Sequence, residues 1–275
     1  MILKVAPRET MRIMTYETGI MHSEVEAMRM AASVTGIPVP KVLGFDESRE
    51  ICDSSYFFME KLPGRSLSSV RDTLSEQTLQ DIYCQTGKII RCVNEISCPC
   101  FGYPAQPEFQ GIKWFPVFKR MLEAGVEDAV SGGVDLTISV ELLWSLLERD
   151  RDVFDEVVAP QLVHWDCWDG NIFVQDGRVT GIIDWERCLW GDPLMEVNFR
   201  TYQDNTWFCR GYGLEKLTDS QKLRALWYDV YLMLLVSLEC EYRKYDTMDM
   251  YDWGTRTLRA QLDKIAGYEQ GKQQC

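Results

Sequence analysis

The chain has 275 residues, of which 46% are hydrophobic and 26% charged, an ordinary globular composition with room for one large domain or two apposed lobes. Its net charge of -13, from 29 basic and 42 acidic residues, argues against a nucleic-acid binder and against docking on an anionic membrane. Ten cysteines without a regular framework, and an N-terminus without a signal-peptide core, predict reduced thiols in a cytoplasmic protein, and two histidines are too few for an ordinary zinc site.

In chain order, residues 2–6 read as a strand. Residues 20–35 read as a helix with Val25, Met28 and Ala32 on one stripe, ended by the prolines at 38 and 40. Strands are predicted over 41–45 and 56–60, followed by a hinge at Leu62-Pro63-Gly64. Helical spacing then predicts a helix over 75–94, a Cys-, Pro- and Gly-rich loop over 98–111, and helices near 112–124 and 137–149. Leu162-Val163 leads into a loop, then a strand at 172–174 whose partner is 179–183. From Pro193 onward the chain reads as mostly helical, and the apolar run at 225–238, interrupted by Asp229, is a core helix too short to span a bilayer.

Charge is uneven. Residues 101–191 carry 7 basic and 16 acidic side chains, against 11 and 13 for residues 192–275. A solvated helical face accounts for this in the ordinary way, while an acidic mouth attracting a cationic ligand is the sharper alternative.

The chemistry concentrates in His164-Trp165-Asp166-Cys167-Trp168-Asp169-Gly170-Asn171, an H-x-D-x4-N pattern, followed by Asp184 at the end of an apolar strand. Phosphoryl transfer requires this set. Magnesium takes hard oxygen ligands such as an amide and a carboxylate, and a further carboxylate must orient the acceptor hydroxyl and take its proton. His164 reads as a structural residue of the loop, Trp165, Trp168 and Trp185 as packing residues of which one could line an acceptor pocket, and Cys167 as a small packing residue.

These words, with Asp184-Trp185-Glu186, Gly191-Asp192-Pro193, Pro38-Val39-Pro40-Lys41-Val42 and Pro63-Gly64-Arg65-Ser66-Leu67, resemble the aminoglycoside phosphotransferase family over nearly the whole chain. Phe208 to Tyr212, Trp227 to Asp229 and Tyr242-Arg243 resemble its fungal branch. The resemblance implies an α+β, protein-kinase-like two-lobe fold. Residues 1–61 would be a partial N-terminal lobe on the nucleotide side, and 62–275 a C-terminal lobe with the catalytic loop and acceptor-side helices. It implies ATP and Mg2+, with Asp166 as catalytic aspartate, Asn171 and Asp184 as metal ligands, and Lys4 on the nucleotide phosphates. Glu24, rather than Glu26, would pair with Lys4, Met59 would back the adenine pocket, and the backbones of Glu60 and Leu62 would hold adenine. The acceptor would be a small hydroxylated molecule, to which a positive charge would suit the acidic middle segment.

Two departures stand out. The family carries two strands and a phosphate-covering loop before the strand lysine, whereas Lys4 follows Met1 by three residues, so the expectation is a longer native chain or weakened nucleotide binding. A non-catalytic pseudokinase-like module is the alternative from another class. Asn94 stands where the family often has histidine, a position read as structural.

Overall fold

The structure is a computed structural model that describes residues 1–8 and 11–268. Its first layer is an antiparallel sheet of β1 (Ile2–Val5), β2 (Val42–Asp46) and β3 (Tyr56–Met59) in the order β1-β3-β2, with helix α1 (Ile20–Ala32) against it. The pleat buries Phe57 fully and sets Lys4 directly opposite it, while Ile2, Leu3 and Val5 on the edge strand are exposed. On α1 the buried stripe runs through Met21, Glu24, Val25, Met28 and Ala31. Ala32, expected on that stripe, is exposed one residue further around the helix.

The hinge follows β3. Gly64 has φ +88, and a Cβ there would stand 2.2 Å from the Val174 carbonyl oxygen, so only glycine lets the hinge lie against the strand beneath it. Strand β4 (Arg65–Ser66) then joins β6 (Ile172–Gln175), and β6 forms a hairpin with β7 (Arg178–Ile182). Asp176 and Gly177 between them both take positive φ, the conformation that suits a two-residue hairpin turn. β5 (Gln161–Val163) pairs instead with β8 (Leu189–Gly191), a strand that the sequence pattern does not announce.

The remainder is helical: α2 (Leu67–Val70), α3 (Glu76–Asn94), α4 (Trp114–Gly132), α5 (Val140–Arg149), α6 (Thr206–Tyr212), α7 (Asp219–Tyr242) and α8 (Asp249–Ala266). Ser75 and Ser139 cap α3 and α5 by accepting from Thr78 and Leu142, and Thr218 with Gln221 forms a capping box on α7. α4 continues beyond the predicted end at 124 because its apolar repeat does, with Ala129 buried, and it stops where Gly133 turns left-handed. α7 is buried on every face from Leu223 to Cys240. Its charged residues are consequently paired: Arg224 with Asp192 and Glu156, and Glu239 with Arg187. Its Asp229 accepts from the Thr201 amide and hydroxyl.

The first layer does not stand apart from these helices. Thr15 donates its amide and hydroxyl to Asp128 of α4 at 2.7 and 2.8 Å, and the Gln106 amide reaches the carbonyls of Thr15, Tyr16 and Thr18. Among the described residues no helix is long and apolar enough to cross a membrane, and the nine described cysteines are free.

α3 and α6 approach through two glycines. A Cβ on Gly211 would meet the Cys84 carbonyl oxygen at 2.1 Å, and one on Gly87 the Phe208 carbonyl oxygen at 2.2 Å. Both obstacles are backbone, so the helices must separate. Gly211→Ala should cost about 1–3 kcal/mol in urea unfolding, as overpacked cores do. An unchanged midpoint would mean that this crossing is softer than its geometry.

Candidate active site

β5 delivers the chain into the loop 164–171 at the centre of the molecule. Trp165 is buried with φ +61, a conformation that costs a bulky residue about 1–3 kcal/mol and needs its surroundings to hold it. Two interactions do so. Its indole stacks on Tyr231 of α7 at 5.2 Å with the planes 4° apart. Its amide and that of His164 donate to the buried Glu196 carboxylate at 3.0 and 2.9 Å. The same carboxylate accepts from Asn94, whose side chain also binds the Leu162 carbonyl and the Tyr212 hydroxyl. Asn94 is therefore a structural hub, as expected.

His164 is buried against Trp185, ring centres 4.5 Å apart. Its Nδ1 accepts from the Asp166 amide at 3.1 Å, so the proton sits on Nε2, which donates to the Ile183 carbonyl at 3.1 Å. Burial lowers its pKa to about 4, keeping the ring neutral. His164 thus ties the loop to the strand end that carries Asp184.

Asn171 closes the loop. Its amide nitrogen donates to the Asp166 backbone carbonyl at 2.8 Å and to the Asp166 carboxylate at 2.9 Å. That use of the nitrogen leaves the Asn171 side-chain oxygen out of both bonds. Burial raises the Asp166 pKa to about 6 against the opposing charge of Arg187. Cys167 is buried and its thiol is pushed up by desolvation, as suits a packing residue.

Asp184 takes φ +64 at the start of the tight turn Trp185–Arg187. Lys4 Nζ donates to Asp184 at 2.6 Å, to Glu24 at 2.7 Å and to Glu186 at 3.1 Å. Burial works against the Lys4 charge, but the three carboxylates outweigh it and hold the ammonium protonated. Burial pushes Glu24 up to about 7, with Lys4 opposing. Glu26 faces away and pairs with Arg29 on the surface, as the helical spacing predicts. Carboxylate oxygens of Glu24, Asp184 and Glu186 lie within 4.8 Å of one another, a hard-oxygen set that suits a divalent cation.

Met59 ends β3, partly buried against the core. The Glu60 amide donates to the Lys41 carbonyl at 3.0 Å, leaving its own carbonyl without a backbone partner among the described residues. Leu62 rests on β7, where a Cβ on Gly181 would meet its side chain at 2.2 Å.

Sequence reasoning missed Glu186, Arg187, Glu196 and Arg200. Glu186 and Arg187 stand in the turn directly after Asp184, and their adjacency to it was the available signal. Nothing local marks Glu196 or Arg200. Trp168 differs from the other two tryptophans: it is 50% exposed and lines a cavity of about 590 Å3 with Tyr83, Asp169 and Trp207.

A short sheet with a lysine–glutamate pair, a hinge, and a helical lobe holding H-x-D-x4-N and a following Asp define a two-lobed kinase-like α+β fold. Residues 1–214 match the phosphotransferase enzyme family (APH), and the chain belongs to it. A hygromycin-B 4-O-kinase of Escherichia coli is 24% identical over 172 residues, covering 58% of this chain and 46% of that protein, so the chain spans about half the length of this curated relative. The solved structure of a protein assigned as a fructosamine-3-kinase from Haemophilus somnus 129PT aligns with TM-score 0.68 and 17% identity, over 96% of this chain and 82% of that one. A thermostable mutant of aminoglycoside phosphotransferase APH(4)-Ia, in complex with AMP-PNP and hygromycin B, aligns with TM-score 0.62 and 18% identity, over 91% and 84%. At these identities the structures establish the fold.

Glu196 tests the loop's support. In Glu196→Gln one carboxylate oxygen becomes an NH2 group facing a donor, so unfolding free energy should fall by about 1–3 kcal/mol. Burial raises the Glu196 pKa to about 7 from an ordinary 4.5. Between those values the native state holds a proton that the unfolded chain has released, so this group's contribution to stability declines as pH rises. The variant should lose that slope, at most about 1.4 kcal/mol per pH unit. Urea titrations from pH 5 to 7 giving identical slopes in both proteins would refute it.

Proposed function

We propose that the protein is an ATP-dependent phosphotransferase that moves the γ-phosphate to a hydroxyl of a small molecule. The observation that carries this reading is the convergence of Lys4 and Glu24 from the first layer with Asp184 from the second, beside an Asp166 held by Asn171. We assign residues 1–61 to the nucleotide side and 62–275 to the catalytic and acceptor side. Met59 backs adenine, and the Glu60 carbonyl and Leu62 amide hold its edge. Lys4, positioned by Glu24, contacts the phosphates. Asn171 and Asp184 are the ligands for Mg2+, which supplies neutralisation of phosphate charge when bound.

Asp166 accepts a hydrogen bond from the acceptor hydroxyl and orients it in line with the γ-phosphorus. As the new O–P bond forms, the bond to the β–γ bridging oxygen breaks and ADP leaves with that electron pair. The hydroxyl proton passes to the Asp166 carboxylate. His164 is neutral and engaged at both nitrogens, and it serves as support for the loop.

We assign the chain to the fungal branch of the family on the resemblance of Phe208 to Tyr212, Trp227 to Asp229 and Tyr242-Arg243, and to a cytoplasmic setting on its reduced thiols. Aminoglycosides, the ligands of several relatives, are the first acceptors to assay. The acidity of residues 101–191 offers little guidance on acceptor charge, since Glu127, Glu141, Glu148, Asp152, Asp155 and Glu156 all lie on exposed faces.

Two measurements test the reading. Mg·ATP at 100 times its dissociation constant should add about 2.7 kcal/mol, a rise of a few degrees in Tm, and Asp184→Ala should abolish its magnesium dependence. Asp166→Ala should retain the rise while phosphate transfer drops by roughly 10²–10⁴. Wild-type turnover in Asp166→Ala would overturn the role given to that residue.

A further inference from the structure

Arg200 follows the Gly191-Asp192-Pro193 turn and lies close enough to Asp166 for each to shift the other's charge equilibrium. Its backbone is fixed by the next residue, because the Thr201 amide and hydroxyl clamp onto Asp229 of α7 at 3.0 and 2.6 Å. Its side chain lines a cavity of about 340 Å3, the size of a small metabolite site. Yet the guanidinium makes no hydrogen bond or ion pair among the described residues, and its Nε is buried. The buried arginines among the described residues, Arg187 and Arg224, each have a carboxylate in contact. The charges facing Arg200 are Asp166, Asp229, Arg187 and the hydroxyl of Tyr202, none of them bonded to it.

The half-buried Arg200 guanidinium, without a protein partner at a cavity wall, is free to take an anionic ligand. Two further buried, unpartnered atoms belong to residues two positions either side of it in the chain. Asn198 lines the same cavity with a buried side-chain oxygen that accepts from nothing, and the Tyr202 hydroxyl is buried and unbonded. The set offers a planar fork for an oxyanion, a phenolic donor next to it, and an acceptor for a hydroxyl. Asp204, also on the cavity wall, is occupied in accepting from the Thr206 amide and hydroxyl, and Lys222 on the rim is paired with Asp219.

We propose that Arg200 and Asn198, backed by Tyr202, form an oxyanion-recognition subsite next to Asp166, and that the acceptor is a small hydroxylated molecule carrying a carboxylate or phosphate. The acceptor role rests on the phosphotransferase reading, whereas the anion site itself does not. Arg200 takes the oxyanion, Asn198 takes one of the molecule's hydroxyls, and another hydroxyl is presented to Asp166. An acceptor of this class is the opposite of a polycation.

The test separates the two claims. Binding is measured first without nucleotide, by calorimetry and thermal shift on the whole chain. The probes are gluconate, glycerate, glucose 6-phosphate and inorganic phosphate, with glucitol as the neutral match and hygromycin B as the cation. At least one hydroxylated anion should bind at least tenfold more tightly than glucitol or hygromycin B. A gluconate preference marks a carboxylate site and a glucose 6-phosphate preference a phosphate site. Arg200→Gln should weaken that anion tenfold or more, Arg200→Lys should restore part of the loss, and Asn198→Ala should weaken it severalfold. Asn198→Ala keeps the test open if the arginine variants fail to fold, as their ligand-free melts will tell. If none of the anions binds, if neutral or cationic polyols bind as well, or if Arg200→Gln binds the anion as wild type does, the subsite is refuted. Mg·ATP and the preferred anion are then combined and the phosphate ester is sought. Anion binding without Mg·ATP binding would overturn the phosphotransferase reading and leave the subsite standing.

Discussion

One buried carboxylate holds the centre of this protein together. Glu196 accepts from the end of α3 through Asn94 and from two consecutive amides of the loop that bears Asp166. Without it, the left-handed Trp165 would lack its amide partner, and the stack on Tyr231 would have to hold the strained residue alone. Desolvation disfavours ionised Glu196, and three donors oppose that by favouring the carboxylate. The balance makes its carboxyl an internal brace tuned by burial. His164 extends the brace, since one ring nitrogen takes the Asp166 amide and the other reaches the carbonyl just before Asp184. Asp166 and Asp184 are therefore linked through one imidazole, although strands β6 and β7 separate them in sequence.

Much of this was legible beforehand, for a definite reason. The H-x-D-x4-N word encodes a local object: Asn171 bonds back to Asp166 five residues earlier, so the spacing itself carries the geometry. The family resemblance singles out Glu24, helical phase turns Glu26 elsewhere, and the structure sets one on Lys4 and the other on Arg29. The β6–β7 hairpin was visible as two short strands, 172–174 and 179–183, close together in sequence.

What stayed hidden is nonlocal. β8 is three residues long and pairs with β5 across the whole loop, so no periodicity marks it. The docking of residues 14–18 onto α4 relies on Asp128 and Gln106, each distant in sequence and unremarkable by type. α4 outran its predicted end because a continuing apolar face has no stop signal until Gly133. Arg200 could be read only once its missing partner was visible, which is a property of the folded surroundings and not of the residue.

Charge ties these parts into one argument. Around Lys4 three carboxylates face a single ammonium. With all of them ionised the carboxylates outnumber the cations even with Arg243 3.7 Å from Glu186, and the rise of Glu24 to about 7 relieves part of the excess by favouring a proton there. A nucleotide phosphate brought against such a cluster is repelled unless a cation arrives with it. The opposite imbalance holds at Arg200, where positive charge lacks a contact partner. Asp166 lies within electrostatic reach of this unpaired cation. A cluster that calls for a cation and a pocket that calls for an anion are thus coupled through one carboxylate. Filling the pocket with an oxyanion would remove some of the positive field that holds Asp166 ionised, making that carboxylate a stronger base just when an acceptor hydroxyl is presented to it.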